Sequence, residues 1–465
     1  MKRKSLMIAV CSAMLTLGTA SLTAFAASGW VQSGSNWVYY DSSGSQVYNE
    51  WRKGADDQWR YIDGDGKMAV NAWVDGDQYY VDSNGIMLTN KWQQVKNDYW
   101  GSYDDDAEYV WFYFGPNGKV IQDTWKKIDN KWYFFDSSGV MQTGWVDENM
   151  YYCGDDGVMK TGWQKLYPPD MDEYEQDRVT PASDFEDSDG KNWYYFSTSG
   201  KKYVPDDDDG DYSQRKVNGV YYCFDSDGAM QTGWVNTGDD DDVSASIEDY
   251  RYYGSDGKVK TGWLTLEPPE AIASRYDNDV EWFYFTSNGT PRVGDDHPTV
   301  SDLVKINGLT FLFNEDGNPV YGLKKVYLSD NSDDYTAFYF GDRATSSVQK
   351  GKRKIEEGDG NEITYYFSET GRGFTGVKDG YLYYRGKLQI AESGERYAVI
   401  TIPSGNSHTN YVVNGSGRIA KSTTVKNSDG VKYKTGSGGQ LMQIDGESVS
   451  STETFDDPQE PVWTE

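Results

Sequence analysis

Lys131-Trp132-Tyr133-Phe134-Phe135-Asp136-Ser137-Ser138-Gly139-Val140-Met141-Gln142-Thr143-Gly144-Trp145 holds, in one stretch, the plan on which most of the chain is built. Trp132 to Phe135 is a run of strand formers. Alternation along a strand sends Trp132 and Phe134 to one face and Tyr133 and Phe135 to the other. Asp136-Ser137-Ser138-Gly139 reads as a turn, with glycine able to supply a positive φ. Met141 begins the return, and Gly144-Trp145 opens the next unit. The stretch predicts a β-hairpin.

The plan recurs along the chain. Asn36-Trp37-Val38-Tyr39-Tyr40-Asp41-Ser42-Ser43-Gly44 follows it, as does Gln58-Trp59-Arg60-Tyr61-Ile62-Asp63-Gly64-Asp65-Gly66-Lys67-Met68. Gln78-Tyr79-Tyr80-Val81-Asp82-Ser83-Asn84-Gly85 and Tyr222-Cys223-Phe224-Asp225-Ser226-Asp227-Gly228 repeat it. Compact copies are roughly twenty residues long, within the range of stacked repeats. A lone hairpin is marginal in water, so neighbours must stack and share aromatic faces. The expected fold is all-β, a repetitive solenoid of stacked β-hairpins with acidic loop insertions. Gly162-Trp163-Gln164-Lys165-Leu166-Tyr167-Pro168-Pro169 matches Gly262-Trp263-Leu264-Thr265-Leu266-Glu267-Pro268-Pro269. Each is followed by an acidic loop, and such insertions are expected to project from one side.

Composition agrees with this reading. Among 465 residues, 38 are Tyr, 17 are Trp and 50 are Gly. Aromatic rings, not branched aliphatics, must therefore supply most of the buried apolar area. A net charge of −30 argues against nucleic acid and anionic lipid surfaces as partners. Lys2, Arg3 and Lys4, the apolar run from Leu6 to about Leu17, and Ala24-Phe25-Ala26 read as a secretory signal. No later segment is apolar enough to insert into a membrane. Cys11 would leave with the signal; Cys153 and Cys223, each after a Tyr-Tyr pair, read as apolar strand positions in separate repeats.

The expected organisation is a signal peptide (1–26), aromatic hairpin repeats (27–165) and hairpin repeats with long acidic insertions (166–300). Divergent Trp-poor hairpin repeats (301–445) and a disordered tail (446–465) follow. Sixteen of the 17 Trp lie between Trp30 and Trp282, and Leu323 stands where a Gly-Trp tryptophan would be. The tail assignment rests on polar, acidic composition with Pro458 and Pro461.

The Gly-Trp, Trp-Tyr-Tyr-Phe-Asp and Gly-x-Met-x-Thr-Gly elements resemble the cell-wall-binding repeat family. That family includes choline-binding repeats and the related glucan-binding and toxin receptor-binding repeats. The resemblance is strong from Gly29 to about Trp263 and continues weakly to about Ile444. It implies ligand cages between successive hairpins. Each uses the Gly-Trp tryptophan, the first strand aromatic, the return-strand Met and an aromatic of the next hairpin. Carried onto this sequence, the cages are Trp125, Trp132, Met141 and Tyr152; Trp51, Trp59, Met68 and Tyr80; and Trp30, Trp37 and Tyr61, with Gln46 at the Met position. Gln78 after Trp73 and Met150 after Trp145 depart from the pattern. The implied partner is a cell-wall polymer, a choline-bearing teichoic acid or polysaccharide. The implied location is secreted and held non-covalently on the bacterial cell wall.

A quaternary ammonium suits such rings, because it is weakly hydrated and aromatic faces attract it. The same rings also suit sugar faces, so a glucan- or host-glycan-binding protein is the second reading. A structural spacer or adhesin is the third. Dimerisation is left open by the pattern. Asp206–Asp211 and Asp239–Asp242 lack a twelve-residue calcium loop ending in Glu, Asp63-Gly64-Asp65-Gly66 mimics a calcium loop but occupies the hairpin turn, and no metal or cofactor is expected. His297 and His408 are the only imidazoles. Ser407 beside His408 lacks the Gly-x-Ser-x-Gly setting of a nucleophile, so no catalysis is expected.

Overall fold

The structure is a computed structural model that describes residues 28–97, 108–169, 190–205, 212–238, 245–330 and 332–464. The signal segment and the aspartate runs at 206–211 and 239–242 lie outside these residues. Contacts divide the chain into two compact units. The first runs to Gln164 and takes in Tyr195–Lys202; the second holds the chain from Tyr203 onward.

In the first unit, antiparallel hairpins follow one another. Gly29–Ser33 pairs with Asn36–Tyr40, Glu50–Lys53 with Trp59–Ile62, and Ala72–Val74 with Tyr79–Val81. Lys91–Lys96 pairs with Tyr109–Phe114, Thr124–Ile128 with Lys131–Phe135, and Gly144–Val146 with Tyr151–Cys153. The second unit continues with Tyr212–Val217 on Val220–Asp225, Gly233–Asn236 on Tyr250–Tyr253, and Gly262–Leu266 on Glu281–Phe285. The fold is all-β and built of hairpins, as the repeat requires.

Within each copy the aromatic strand has four positions, Trp132, Tyr133, Phe134 and Phe135 in the clearest one. The fourth is sealed: Ile62, Val81, Phe114, Phe135, Cys153, Phe224 and Tyr253 are all 0% exposed. It bridges to the return residue six positions on, as in Phe135 to Met141 and Cys153 to Met159. The turn between is held by its own aspartate. Asp136 Oδ1 accepts the backbone N–H of Ser138 (2.8 Å) and of Val140 (2.9 Å). Asp63 does the same for Asp65 and Lys67, at 2.9 and 2.8 Å, which explains its calcium-loop appearance by turn chemistry alone.

The return residue then reaches the preceding hairpin. Met141 N–H donates to the Trp111 carbonyl at 2.8 Å, Met159 N–H to Trp132 at 2.9 Å, and Met87 N–H to Trp59 at 2.9 Å. Rings fill the space between. Tyr133 and Phe135 face Trp92 of the preceding hairpin at 4.9 and 5.7 Å, while Phe134 faces Trp125 of its own at 5.1 Å. Small clusters replace a single large core; one gathers Leu88, Val110, Phe112, Phe114, Val120 and Val140. Cys153 and Cys223 are free, buried thiols, and burial pushes both up to about 12.

Two expectations are corrected. The described insertion segments do not project. Ala245 and Ile247 before the Tyr250–Tyr253 strand, and Ile272 in the turn Glu270–Arg275, are buried against Tyr250, Phe283 and Phe285. These insertions carry apolar residues at the positions that fold back, and burying them outweighs leaving the loop in water. Nor does the tail behave as disordered. Asp456 bridges Ile400 in parallel, Gln459 exchanges bonds with Gln389, and Thr464 N–H donates to Leu323 at 3.2 Å. Buried Glu357 accepts from the Tyr365 hydroxyl, from Lys387 Nζ (2.8 Å) and from the Val462 N–H (3.1 Å). Composition misread the segment because its polar atoms find partners along the hairpins. The Trp-poor part also departs from simple hairpins. Gly351–Glu356 through Lys387–Leu388 form a five-stranded sheet, and Thr424–Lys426 through Glu447–Ser448 a four-stranded one.

Two predictions follow from this packing. Gly139 has φ +85°, and a Cβ there would meet Val120 Cγ2 at 2.8 Å and the Ile121 carbonyl at 3.1 Å; Gly76 has φ +67° and open space. Gly139→Ala should therefore lower stability by about 2 kcal/mol and Gly76→Ala by about 1 kcal/mol, the left-handed cost alone. Equal shifts in denaturation midpoint would show that neighbouring hairpins do not press on the turn. Lys387→Ala should cost about 3 kcal/mol by stranding the buried Glu357 carboxylate. Hydrogen exchange at Val462 and Thr464 should accelerate; unchanged protection there would mean the tail is held by other contacts.

Candidate aromatic-cage sites

The first position of the aromatic strand is the exposed one. Trp37, Trp59, Trp111, Trp132, Trp193 and Trp282 are 40–44% exposed. Six large apolar rings repeated at one register, each held to nearly the same exposure, form a periodic surface feature that packing alone does not explain. Beside it lies the half-buried Gly-Trp ring of the same hairpin, and beyond that the second-position aromatic of the next.

The structure does not gather the expected quartets; it shifts them by one residue and one hairpin. Trp125 meets Tyr151 at 5.0 Å, whereas Tyr152 turns to Trp145 at 5.4 Å. The Trp132 carbonyl receives Met159, not Met141. By backbone register the set is thus Trp125 and Trp132 on one face of their hairpin, Tyr151 against Trp125, and Met159 bonded to the Trp132 backbone. Likewise Trp51 meets Tyr79 at 5.2 Å while Tyr80 turns to Trp73 at 5.6 Å. Met68 bonds to Trp37 and Met87 to Trp59, so the second set is Trp51, Trp59, Tyr79 and Met87. Trp30 and Trp37 gain Met68, but Tyr61 packs on Trp51 at 5.1 Å. The second position of that next hairpin is Arg60, whose guanidinium is clamped by both oxygens of Asp56 at 2.7 Å. This site has two aromatic walls only. The reason is common to all three. Alternation puts the second position, not the third, toward the preceding hairpin, and the return residue bonds backward rather than within its own unit.

The same rule reveals a set that the pattern concealed. Trp92 lies 6.4 Å from Trp111 and 4.9 Å from Tyr133, and Met141 bonds to the Trp111 carbonyl. The long segment between Trp92 and Trp111 hides their pairing. The spacing from Tyr133 to Met141 was the available signal.

Carboxylates flank the half-buried rings. The Trp51 indole N–H donates to Asp75 Oδ2 at 3.0 Å, and that of Trp125 to Asp147 Oδ2 at 3.1 Å. Each carboxylate sits in the tight turn of the following hairpin, at φ +54° and +53°, so it both orients the ring and sets a negative charge at the rim. The rings already accept the chain's own cations. Lys53 Nζ lies 5.4 Å from the Trp59 ring and Lys119 Nζ 6.0 Å from that of Tyr79. Each such contact is worth about 0.5–2 kcal/mol, more as it is desolvated.

Residues 27–73 and 122–162 match the choline-binding repeat, and residues 188–202 match the cell wall binding repeat. Over these segments the chain carries choline-binding and cell wall binding repeats, and aromatic clusters lie between its hairpins. No curated protein matches it. Among solved structures it is similar to the modular autolysin LytC of Streptococcus pneumoniae, with 22% identity over 64% of this chain and a TM-score of 0.37. The chain spans about half of that autolysin, 54% of its length. It is also similar to CbpJ of the same organism, with 19% identity, 69% of this chain, 99% of that one and a TM-score of 0.38. Choline binding protein F of Streptococcus pneumoniae gives 18% identity, 77% of this chain, 98% of that one and a TM-score of 0.28.

The reassigned methionines can be checked without ligand. In protein labelled with fluorotryptophan, Met159→Ala should move the Trp132 resonance and leave that of Trp111. Met141→Ala should do the reverse. Movement of Trp132 in Met141→Ala would restore the within-hairpin assignment.

Proposed function

We propose that this protein is exported and holds itself non-covalently to choline-bearing teichoic acid of a bacterial cell wall, acting by binding rather than by catalysis. The observation that supports this most is the recurrence of one exposed and one half-buried Trp on a single hairpin, with a Tyr of the next hairpin against the half-buried ring. Three such sets are complete among the described residues of the first unit: Trp51, Trp59 and Tyr79; Trp92, Trp111 and Tyr133; Trp125, Trp132 and Tyr151. Trimethylammonium donates no hydrogen bond, so it needs ring faces and nearby negative charge, which Asp75 and Asp147 supply.

The net charge of −30 opposes the phosphates that accompany choline in such polymers. Local charge relieves this. Lys127 stands across the hairpin from Trp132. An ammonium at the rim can pair with phosphate while the rings hold the choline head. A single cage of this kind gives millimolar affinity, about −4 kcal/mol, after the cost of association. Several cages on one chain, facing a polymer with many choline groups, raise the overall affinity through effective concentration.

Calorimetric titration of choline into the protein should show saturable heat with more than one site per chain. Trp132→Ala should remove about one site while costing little stability, because the ring is 41% exposed. Absence of heat up to tens of millimolar, on the order expected for millimolar sites, would end the choline reading.

A further inference from the structure

The C-terminal part inverts the charge of the chain. Residues 343–440 hold 15 Lys and Arg against 9 Asp and Glu, whereas the whole chain holds 44 against 74. Part of this surplus gathers at the five-stranded sheet. Lys352 lies across from Tyr366, and Lys378 across from Tyr381. Arg418, in the turn after Ser407–Asn414, bridges to Tyr381. Lys352 Nζ is 5.2 Å and the Arg418 guanidinium 5.3 Å from the Tyr381 ring, and Lys378 Nζ is 5.6 Å from that of Tyr366. Lys352 and Arg418 are exposed, and Lys378 is half-buried.

The carboxylates of this part are engaged elsewhere: Glu362 by Lys354, Glu460 by Arg385 and Glu357 by Lys387. Among the described residues, neither the three cations nor Asp379, in the turn beside Lys378, forms an ion pair. Lysines on edge strands keep other strands from pairing there. That accounts for Lys352 and Lys378, which lie on the two edge strands of the sheet. It does not account for Arg418, which lies outside the sheet and still meets the ring that Lys352 meets.

The rings order these cations without neutralising them. Outward N–H groups keep their hydrogen-bonding capacity, so an incoming anion finds donors already placed. Trimethylammonium is repelled by the same three charges. An exposed ion pair is weak by itself, so a lone phosphate gains little on this face. Spaced phosphates on one flexible chain gain through effective concentration, and the Arg418 fork matches their paired oxygens. A stiff duplex fits poorly, because the acids that dominate the rest of the chain repel whatever cannot bend away from them.

We propose that the face formed by Lys352, Lys378 and Arg418 is a further binding site, which takes the phosphates of a flexible polyol-phosphate chain. The source of that chain rests on the wall-polymer reading above: the aromatic sites take its choline heads, and the basic face takes its backbone.

The test is fluorescence titration of the full protein against labelled, choline-free poly(glycerol phosphate), with inorganic phosphate and poly-glutamate of matched length as contrasting probes. The polymer should bind saturably, and more weakly as salt rises. The triple variant Lys352→Gln, Lys378→Gln, Arg418→Gln should weaken it about tenfold. It should also reduce the slope of log affinity against log salt by about 2. Lys352→Arg combined with Lys378→Arg should keep the binding. Removing three lysines that face turn aspartates, by Lys67→Gln, Lys160→Gln and Lys258→Gln, should change it much less, with unfolding midpoints showing every variant folded. Absence of saturable binding at low salt would overturn the proposal. So would equal losses in the two triple variants, equal binding of poly-glutamate, or displacement by inorganic phosphate at equal phosphate concentration. The polymer carries no choline and choline carries no phosphate, so failure of this site and failure of the choline reading are read separately.

Discussion

Each hairpin depends on its neighbour because its return residue has nowhere else to place a backbone N–H. Buried amide groups must be paired, and two strands cannot pair all of theirs. Met141 therefore donates to Trp111, Met159 to Trp132 and Met230 to Trp193. This one bond sets the separation between hairpins. It also brings the sealed fourth position, such as Phe135, against the Gly-Trp ring of the preceding hairpin. With few branched aliphatics available, the rings between hairpins supply the apolar burial that a large core would otherwise provide.

The proposed binding sites are a by-product of the same bond. The carbonyl that receives the return residue belongs to the first-position Trp. That ring is left at the edge of the stack, while the second and fourth positions are drawn inward. Where the first position is Gln78 or Met150, the stack persists but the exposed ring is missing. Scaffold and proposed recognition are thus separable within one repeat: the fourth position and the turn glycine carry stability, and the first position carries the exposed ring.

The C-terminal part solves the same problem by other means. Without the Gly-Trp ring at Leu323, cations of the chain itself occupy aromatic faces. Lys325 Nζ lies 4.4 Å from both Tyr327 and Tyr335, and the Arg385 guanidinium lies 3.5 Å from Tyr335. The tail adds Glu460 to Arg385 at 2.9 Å and Trp463 to Tyr335 at 5.8 Å. These faces are filled from within at shorter distances than those at Trp59 and Tyr79, and they serve cohesion.

Residue order by itself determined the hairpin, its turn and its recurrence, because strand propensity, an Asp-started turn and a positive-φ glycine are local properties. It determined the exposed and half-buried tryptophans as a recurring pair, since both lie within one hairpin. Tertiary structure decided which Tyr and which Met complete each set. Tyr151 rather than Tyr152, and Met159 rather than Met141, follow from a bond between hairpins that no single repeat contains. It also decided the fate of the tail: composition describes what a segment can do in water, while Glu357, Gln389 and Leu323 offer partners that exist only once the distant strands are assembled.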